Sequence, residues 1–417
     1  SLQRTGSILF ALIHIAKRTM VETTAIGRLN NQITSLRWRT IKRHVVIEHI
    51  KKLLTLMLVG INVSLTLLLS AFFRVLTNMI EHIFNIPPNL DFENLISFQK
   101  ELNEAPIADS YSFNFETLKW SQPIGMLYFC ELLKDFKKSH PKSRRRAYNH
   151  QKRSYEAHMG MFQAFGLDHG NKPGEAKGSD TYLPIKKLNV EEIKEKTSFG
   201  TAAGAVIEED THKLASILTR TNKGPSYEVI QYSLQEILRN TVEHSQSNEV
   251  WYCAQYIPGS RVVSMAIIDR GIGISGGLSS NPHLELPNEE EAIKTAILPG
   301  VSGKAFKGSK IKKREDNWHN SGYGLYMTYR LCRATGNFLL ASNGTALFIS
   351  EESHRILEGG HSGTAVGLHL DTAKIENLKD QLLQFKHEGL EQAQTIKGAQ
   401  KFDPSAASLM LHRQEIK

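Results

Sequence analysis

Cysteine is scarce in this chain. Its 417 residues include only Cys130, Cys253 and Cys332, which lie far apart and form no CxxC pair. That excludes a disulfide-stapled fold and argues against a structural zinc site, and it fits a reducing compartment. Acidic residues are nearly missing from positions 1–78, where Glu22 and Glu48 face eleven lysines and arginines. This excess of nine positive charges is the whole net charge of the chain. The remainder carries 40 basic and 40 acidic residues and is neutral. A basic total is therefore no argument for nucleic-acid binding by the folded body, and none is indicated.

Charge of either sign is absent from residues 53–73, a run of 21. That is long enough to cross a hydrocarbon core of roughly 30 Å. Lys51 and Lys52 precede the run and only Arg74 follows it closely. The positive-inside rule would then export everything after Phe73, and no second span brings the chain back. The sequence also opens on Ser1 rather than Met. The expectation is that residues 1–78 lie outside the native coding region, with translation starting at Met79. A membrane anchor of inverted topology and a buried helical hairpin are the alternatives. The expected compartment is the cytoplasm, with membrane attachment only if 53–73 is a genuine span.

From Met79 the pattern is α/β. Residues 80–86 alternate as a strand that ends at Pro87-Pro88. Residues 90–102 have helical spacing, 110–115 read as a strand, and 126–136 as an apolar helix with Pro123 near its start. Residues 142–153 are basic and read as a solvated face around a strand, with a partner surface as the sharper reading. Residues 155–165 read as one helix stopped by Gly166. Residues 170–181, rich in Gly, Lys and Ser, read as a linker within 169–204. Tyr182-Leu-Pro-Ile reads as a short strand, and 190–196 and 210–219 as helices, the second capped by Asp210 or Thr211.

Three signatures then follow in order. The first is Glu236-Ile-Leu-Arg-Asn240-Thr-Val-Glu-His244 on a helix over 227–244. Glu236, Asn240 and His244 are spaced i, i+4, i+8 and share one face. An amphipathic helix with a polar outer face would look the same. Asn240 can give Mg²⁺ an oxygen ligand without adding charge beside a triphosphate. Glu236 could orient or deprotonate a nucleophile. His244 contacts phosphate or merely packs. The second signature, Asp269-Arg-Gly271-Ile-Gly273, closes the hairpin of strands 249–257 and 261–268. A carboxylate at a strand end can accept a hydrogen bond from an exocyclic adenine amine, and glycines let the backbone approach the base. The third, Gly322-Tyr-Gly324-Leu325, leads into a helix over 326–334. Backbone N–H groups at a helix start suit phosphate. Between the last two lies the polar segment 298–320, read as a lid and holding Lys304. Strands are expected over 338–342 and 346–350 around Asn343-Gly344, and from Gly363-Thr364 to Leu370, with a C-terminal helix over 376–387.

Over residues 205–372 these signatures resemble the GHKL superfamily of gyrase, heat-shock chaperone ATPases, histidine kinases and MutL-type repair proteins. The resemblance implies a helix-on-sheet (Bergerat) sandwich that binds ATP and Mg²⁺. It implies Asn240 as the magnesium ligand, Asp269 as the adenine acceptor, and Gly271 and Gly273 around the base. Gly322 and Gly324 would hold phosphates, with Lys304, Leu325 and Thr364 completing the cofactor-binding set. The Glu-x-x-x-Asn form is closer to the ATPases and the anti-sigma-factor serine kinases than to histidine kinases, and no histidine sits in a phosphoacceptor box. The strand–helix order of residues 79–168 resembles a STAS domain. In that family a phosphorylatable Ser stands two positions before a helix-head glycine. Gly125 is that glycine here, Pro123 holds the Ser position, and Ser121 is out of register. This unit is therefore expected to meet a protein partner rather than to be the substrate of the switch. Two functions follow. One is a bacterial regulatory serine kinase of anti-sigma type, with Glu236 as catalytic base. The other is a non-transferring ATPase or ATP-gated interaction protein. A homodimer is compatible with either. Residues 373–417 are expected to form a C-terminal helix and tail.

Overall fold

The computed structural model describes residues 80–198, 203–304, 306, 322–375 and 379–399. The apolar run 53–73, most of the segment 298–320 and the tail beyond 399 lie outside the described residues. The chain divides into Ser1–Ile80 and Glu81–Lys417, and every element below belongs to the second unit.

The unit is mixed α/β. Its first part alternates β1 (Glu81–Asn85), β2 (Asn89–Leu90), α1 (Phe92–Asn103), β3 (Ser110–Asn114), β4 (Trp120–Ser121), α2 (Pro123–Ser139) and β5 (Arg144–Tyr148). Strands β1, β3 and β5 form a parallel sheet in that order, and β2 pairs with β4. Local signals place the helices. Asp91 caps α1 by accepting from the Asn94 N–H at 2.9 Å. Pro123 starts α2, where its missing N–H costs nothing. Gly125 packs α2 onto β2, since a Cβ there would lie 1.9 Å from the Leu90 carbonyl oxygen. The helix expected over 155–165 is two, α3 (Ser154–Met159) and α4 (Met161–Ala164), because Gly160 takes φ 86° and ends the first.

The second part opens with β6 (Tyr182–Asn189), twice the expected length, followed by α5 (Val190–Ser198), α6 (Ala203–Thr219) and α7 (Pro225–His244). Asp210 is interior to α6 rather than its cap, and its carboxylate lies 3.5 Å from Lys186 on β6. The hairpin β7 (Glu249–Ile257) and β8 (Val262–Asp269) leads to α8 (Gly273–Leu278), α9 (Glu289–Ala296) and α10 (Gly324–Thr335). Then come β9 (Gly336–Ser342), β10 (Thr345–Ile349), β11 (His354–Glu358), β12 (Thr364–Asp371), α11 (Thr372–Ile375) and α12 (Lys379–Thr395). Seven strands form one antiparallel sheet in the order β11-β10-β9-β12-β8-β7-β6.

Period-2 alternation splits this sheet into two buried faces. Val263, Met265, Ile267, Phe338, Leu340, Val366 and Leu368 join the helical core built with α6, α7 and α10. Cys253, Ala266, Ile268, Leu339, Ala341 and Ala365 face the other way and share a core with α1 and α2. Small residues on that face let α2 come close: a Cβ on Gly367 would lie 3.2 Å from Ile124 Cγ1. Pro123 is buried there, with its carbonyl 3.6 Å from Cys253 Sγ. Ser121 is also buried and donates to Glu156 at 2.6 Å. Among the described residues, no helix is long and apolar enough to cross a membrane.

Candidate functional site

On α7 the residues Ile230, Leu234, Ile237 and Leu238 sink into the core and fix the helix's rotation. Glu236 is only 3 % exposed. Its Oε1 lies 2.7 Å from a guanidinium nitrogen of Arg239, itself buried. A carboxylate at that depth needs such a partner. The other flank of Glu236 meets the start of α10. A Cβ on Gly324 would stand 2.4 Å from both Cβ and Oε2 of Glu236. Only glycine lets α10 close on the carboxylate. One turn along α7, Asn240 is half-buried and lines the same cavity.

Strand β8 delivers Asp269 to the cavity at 3 % exposure. Its Oδ1 accepts from the Gly271 N–H at 2.7 Å, and the Thr364 N–H also bonds the carboxylate. Burial pushes its pKa up to about 7 against the pull of those two N–H groups, with nearby Glu131 adding to the rise. Around neutrality Asp269 is thus poised between acceptor-only and protonated forms. Gly273 takes φ 74° and abuts the β9–β10 turn, where a Cβ would meet Asn343 Nδ2 at 2.1 Å. The Asn343 amide donates to the Ile272 carbonyl, and Ser342 Oγ accepts from the Ile274 N–H. Gly322 takes φ 70° and packs on Gly300 and Val301, with the Gly300 N–H donating to its carbonyl at 3.1 Å.

These pieces enclose about 120 Å³, widening to about 840 Å³ when the open mouth is included. Ile237, Ile274, Leu278, Leu325, Leu340 and Val366 supply the apolar walls. Of the residues singled out by sequence, Glu236, Asn240, Asp269, Gly273, Gly322, Gly324, Leu325 and Thr364 line this cavity. Gly271 does not. It backs onto the end of α7, where a Cβ would fall 1.8 Å from the Ser245 carbonyl oxygen. Its glycine is needed for that approach. Lys304 is exposed and also does not line the cavity. His244 is the last residue of α7, and its side chain lies outside the described part of the structure.

Sequence reasoning missed Thr241, Ser245, Ser302 and Gly303, which line the cavity as well. Thr241 and Ser245 follow Asn240 at one and five residues, so the helix register could have flagged them. Ser302-Gly303 carried no signal beyond polarity. Its position is set by contact with α8, where a Cβ on Gly303 would lie 1.9 Å from the Gly277 carbonyl oxygen.

The segment before β12 and the first part of the unit brace the back of Asp269. His361, 3 % exposed, contacts the Asp269 carbonyl through Nε2 at 2.7 Å. Burial holds its imidazole below the usual range, so it stays neutral near pH 7. Gln99 of α1 bonds both polar atoms of the Gly360 backbone and accepts from the Tyr128 hydroxyl of α2. Arg270, the next residue after Asp269, reaches α2 and pairs with Glu131 and with Asp135 at 2.7 Å. No protein-family model matches the chain, and no curated protein matches it. The functional reading rests on the cavity itself.

The cavity has a buried carboxylate at Asp269, apolar walls, and the entrance of α10 on its lining. Among the described residues, no group of three or more His, Cys, Asp or Glu converges on a metal position. Asn240 adds a neutral oxygen donor beside the cavity's two carboxylates, Glu236, which Arg239 pairs, and Asp269. That suits Mg²⁺, which takes few protein ligands when phosphates and water complete its octahedron.

Proposed function

We propose that the chain binds ATP with Mg²⁺ in this cavity and belongs functionally with the GHKL-type switches, acting as a protein serine kinase of the anti-sigma kind. One observation carries the reading. Three signatures centred on Asn240, Asp269 and Gly322-Gly324, 29 and 53 residues apart in sequence, converge on one small pocket with opposite chemical ends. Asp269 offers the acceptor for an exocyclic amine between apolar walls. Gly322 and Gly324 bring the backbone at the entrance of α10 to the cavity, and Asn240 lines the same space. Mg²⁺, when bound, would neutralise phosphate charge and polarise the phosphoryl group. The chain's own residues do the rest: Asn240 offers the metal an amide oxygen, Asp269 orients the base, and Glu236, held by Arg239, serves the incoming hydroxyl as proton acceptor. The first part of the unit, STAS-like in strand order, is read as a module for a protein partner.

A second reading, an ATP-gated interaction protein without transfer, is favoured by a specific feature. The STAS-like phosphoacceptor position is Pro123, sealed against Cys253, and Ser121 is buried on Glu156. This part of the chain therefore offers no hydroxyl to phosphorylate at that helix head. The two readings separate by incubating the full chain with ATP labelled in the γ-phosphate and following label on protein against free phosphate. Glu236→Ala should keep nucleotide affinity and lose about 10²–10⁴-fold in turnover. Wild-type turnover in that variant would remove Glu236 from the chemistry and leave the gated reading.

A further inference from the structure

The basic stretch at the end of α2 and along β5 has no part in the nucleotide site. Between Lys134 and Arg153 the chain carries nine lysines and arginines and one acid, Asp135. Six of those cations, Lys137, Lys138, Lys142, Arg144, Arg145 and Arg146, have no acidic partner within 4.0 Å among the described residues, and all are exposed. Strand β5 is the margin of its sheet, so one side of its backbone is unpaired by any described strand. Its pleat sends Arg144 and Arg146 to one face and Arg145 to the other. Arg145 joins Lys137 and Lys138 on the wall of a groove of about 890 Å³. Trp251 forms part of the groove and is covered by the Lys134 ammonium at 4.1 Å from its ring centre. Glu131 and Glu249 also line the groove, but Glu131 is paired with Lys134 and Arg270 and Glu249 with Lys187, so Lys137, Lys138 and Arg145 leave an excess of positive charge that draws in ligands of the other sign.

We propose that this groove and strand edge are a docking surface for an extended acidic segment of a protein partner. The segment would add to β5 through main-chain hydrogen bonds. Its alternate carboxylates would meet Arg144 and Arg146 on one face, and Arg145 with Lys137 and Lys138 on the other. A nucleic acid fits less well. Outside residues 134–153 the body from Met79 onward carries eight more acidic than basic residues, so a long phosphate backbone would run off the patch onto like charge. A nucleic acid has no backbone that pairs with a strand edge. The plain alternative is that the arginines only keep β5 from pairing with other chains, as charged edge strands commonly do.

The test does not depend on the nucleotide site. A dye-labelled twelve-residue peptide repeating Glu-Glu-Thr, which presents carboxylates on both faces of a strand, is titrated with the full chain without nucleotide, and anisotropy is read. Its Gln-for-Glu counterpart and an oligothymidylate of equal charge are titrated in parallel. The expected result is saturable binding of the Glu peptide. It should weaken at least tenfold with Gln for Glu and in the Lys137→Glu/Lys138→Glu and Arg145→Glu variants, with unchanged far-UV circular dichroism. It should also quench Trp251 in the wild type. The milder Lys137→Ala/Lys138→Ala pair should fall between. Absence of binding, or equal binding by the charge-reversed variants, would reduce the edge to a guard. Tighter binding of the oligothymidylate would overturn the protein partner.

Discussion

Asp269→Asn separates fold stability from nucleotide binding. Burial raises the Asp269 pKa from 3.8 to about 7 in the folded chain. The folded chain thus keeps a proton between those values that the unfolded chain has lost. The resulting stability is fully present below about pH 4 and is lost as pH rises through 7. Asparagine has the same shape and no charge, so the loss disappears in the variant. The amide must turn one N–H toward the Gly271 or Thr364 N–H, which costs about 1–3 kcal/mol at every pH. Relative to wild type, the variant should therefore gain about 3 kcal/mol of unfolding free energy between pH 5 and pH 8. Denaturant melts of both proteins without nucleotide at the two pH values measure this. ATP affinity should move the other way, falling about 10- to 100-fold at pH 8 with loss of a charge-assisted hydrogen bond. A stability difference that is the same at pH 5 and pH 8 would refute the buried, proton-holding carboxylate.

Gly324→Ala should destabilise by about 1–3 kcal/mol and weaken nucleotide binding together, because its Cβ overlaps the Glu236 side chain at 2.4 Å, and denaturant midpoints with calorimetry check both. Arg270→Ala leaves Glu131 at 2 % exposure with Lys134 as its remaining partner, and should cost about 1–3 kcal/mol in a denaturant melt while leaving the cavity lining in place. A chain beginning at Met79 should give the same melt and the same nucleotide affinity as the full chain, since the described core lies within Glu81–Lys417. Aggregation of that chain would show that the preceding segment belongs to the fold.

Much of the fold was legible because the signals were local. The capping Asp91, the Pro at the head of α2, the Asn343-Gly344 turn and the alternation in β7 and β8 each act within a few residues. Strand β11 escaped because His354–Glu358 is exposed on a sheet edge and carries no alternation. Gly160 was read as a helix residue because nothing local distinguishes a glycine inside a helix from one that ends it. In the site, Glu236, Asn240 and Asp269 line one cavity as their spacing suggested, whereas the glycines divide between its lining and its back. Gly271 and Gly324 look alike in sequence. One accommodates the Ser245 carbonyl behind the site and the other the Glu236 carboxylate within it. Such contacts join residues tens of positions apart, and no short motif encodes them. The bracing of Asp269 by Arg270, Gln99 and His361 was invisible for the same reason.

The most direct test of the central claim is titration calorimetry of the full chain with ATP, with and without Mg²⁺, on wild type and Asn240→Ala. The cavity predicts one binding site per chain whose affinity rises with Mg²⁺ in the wild type. In Asn240→Ala the magnesium-dependent part should be lost while the melt stays unchanged. No heat of binding in the folded wild type, or equal magnesium dependence in both proteins, would contradict the nucleotide–magnesium assignment.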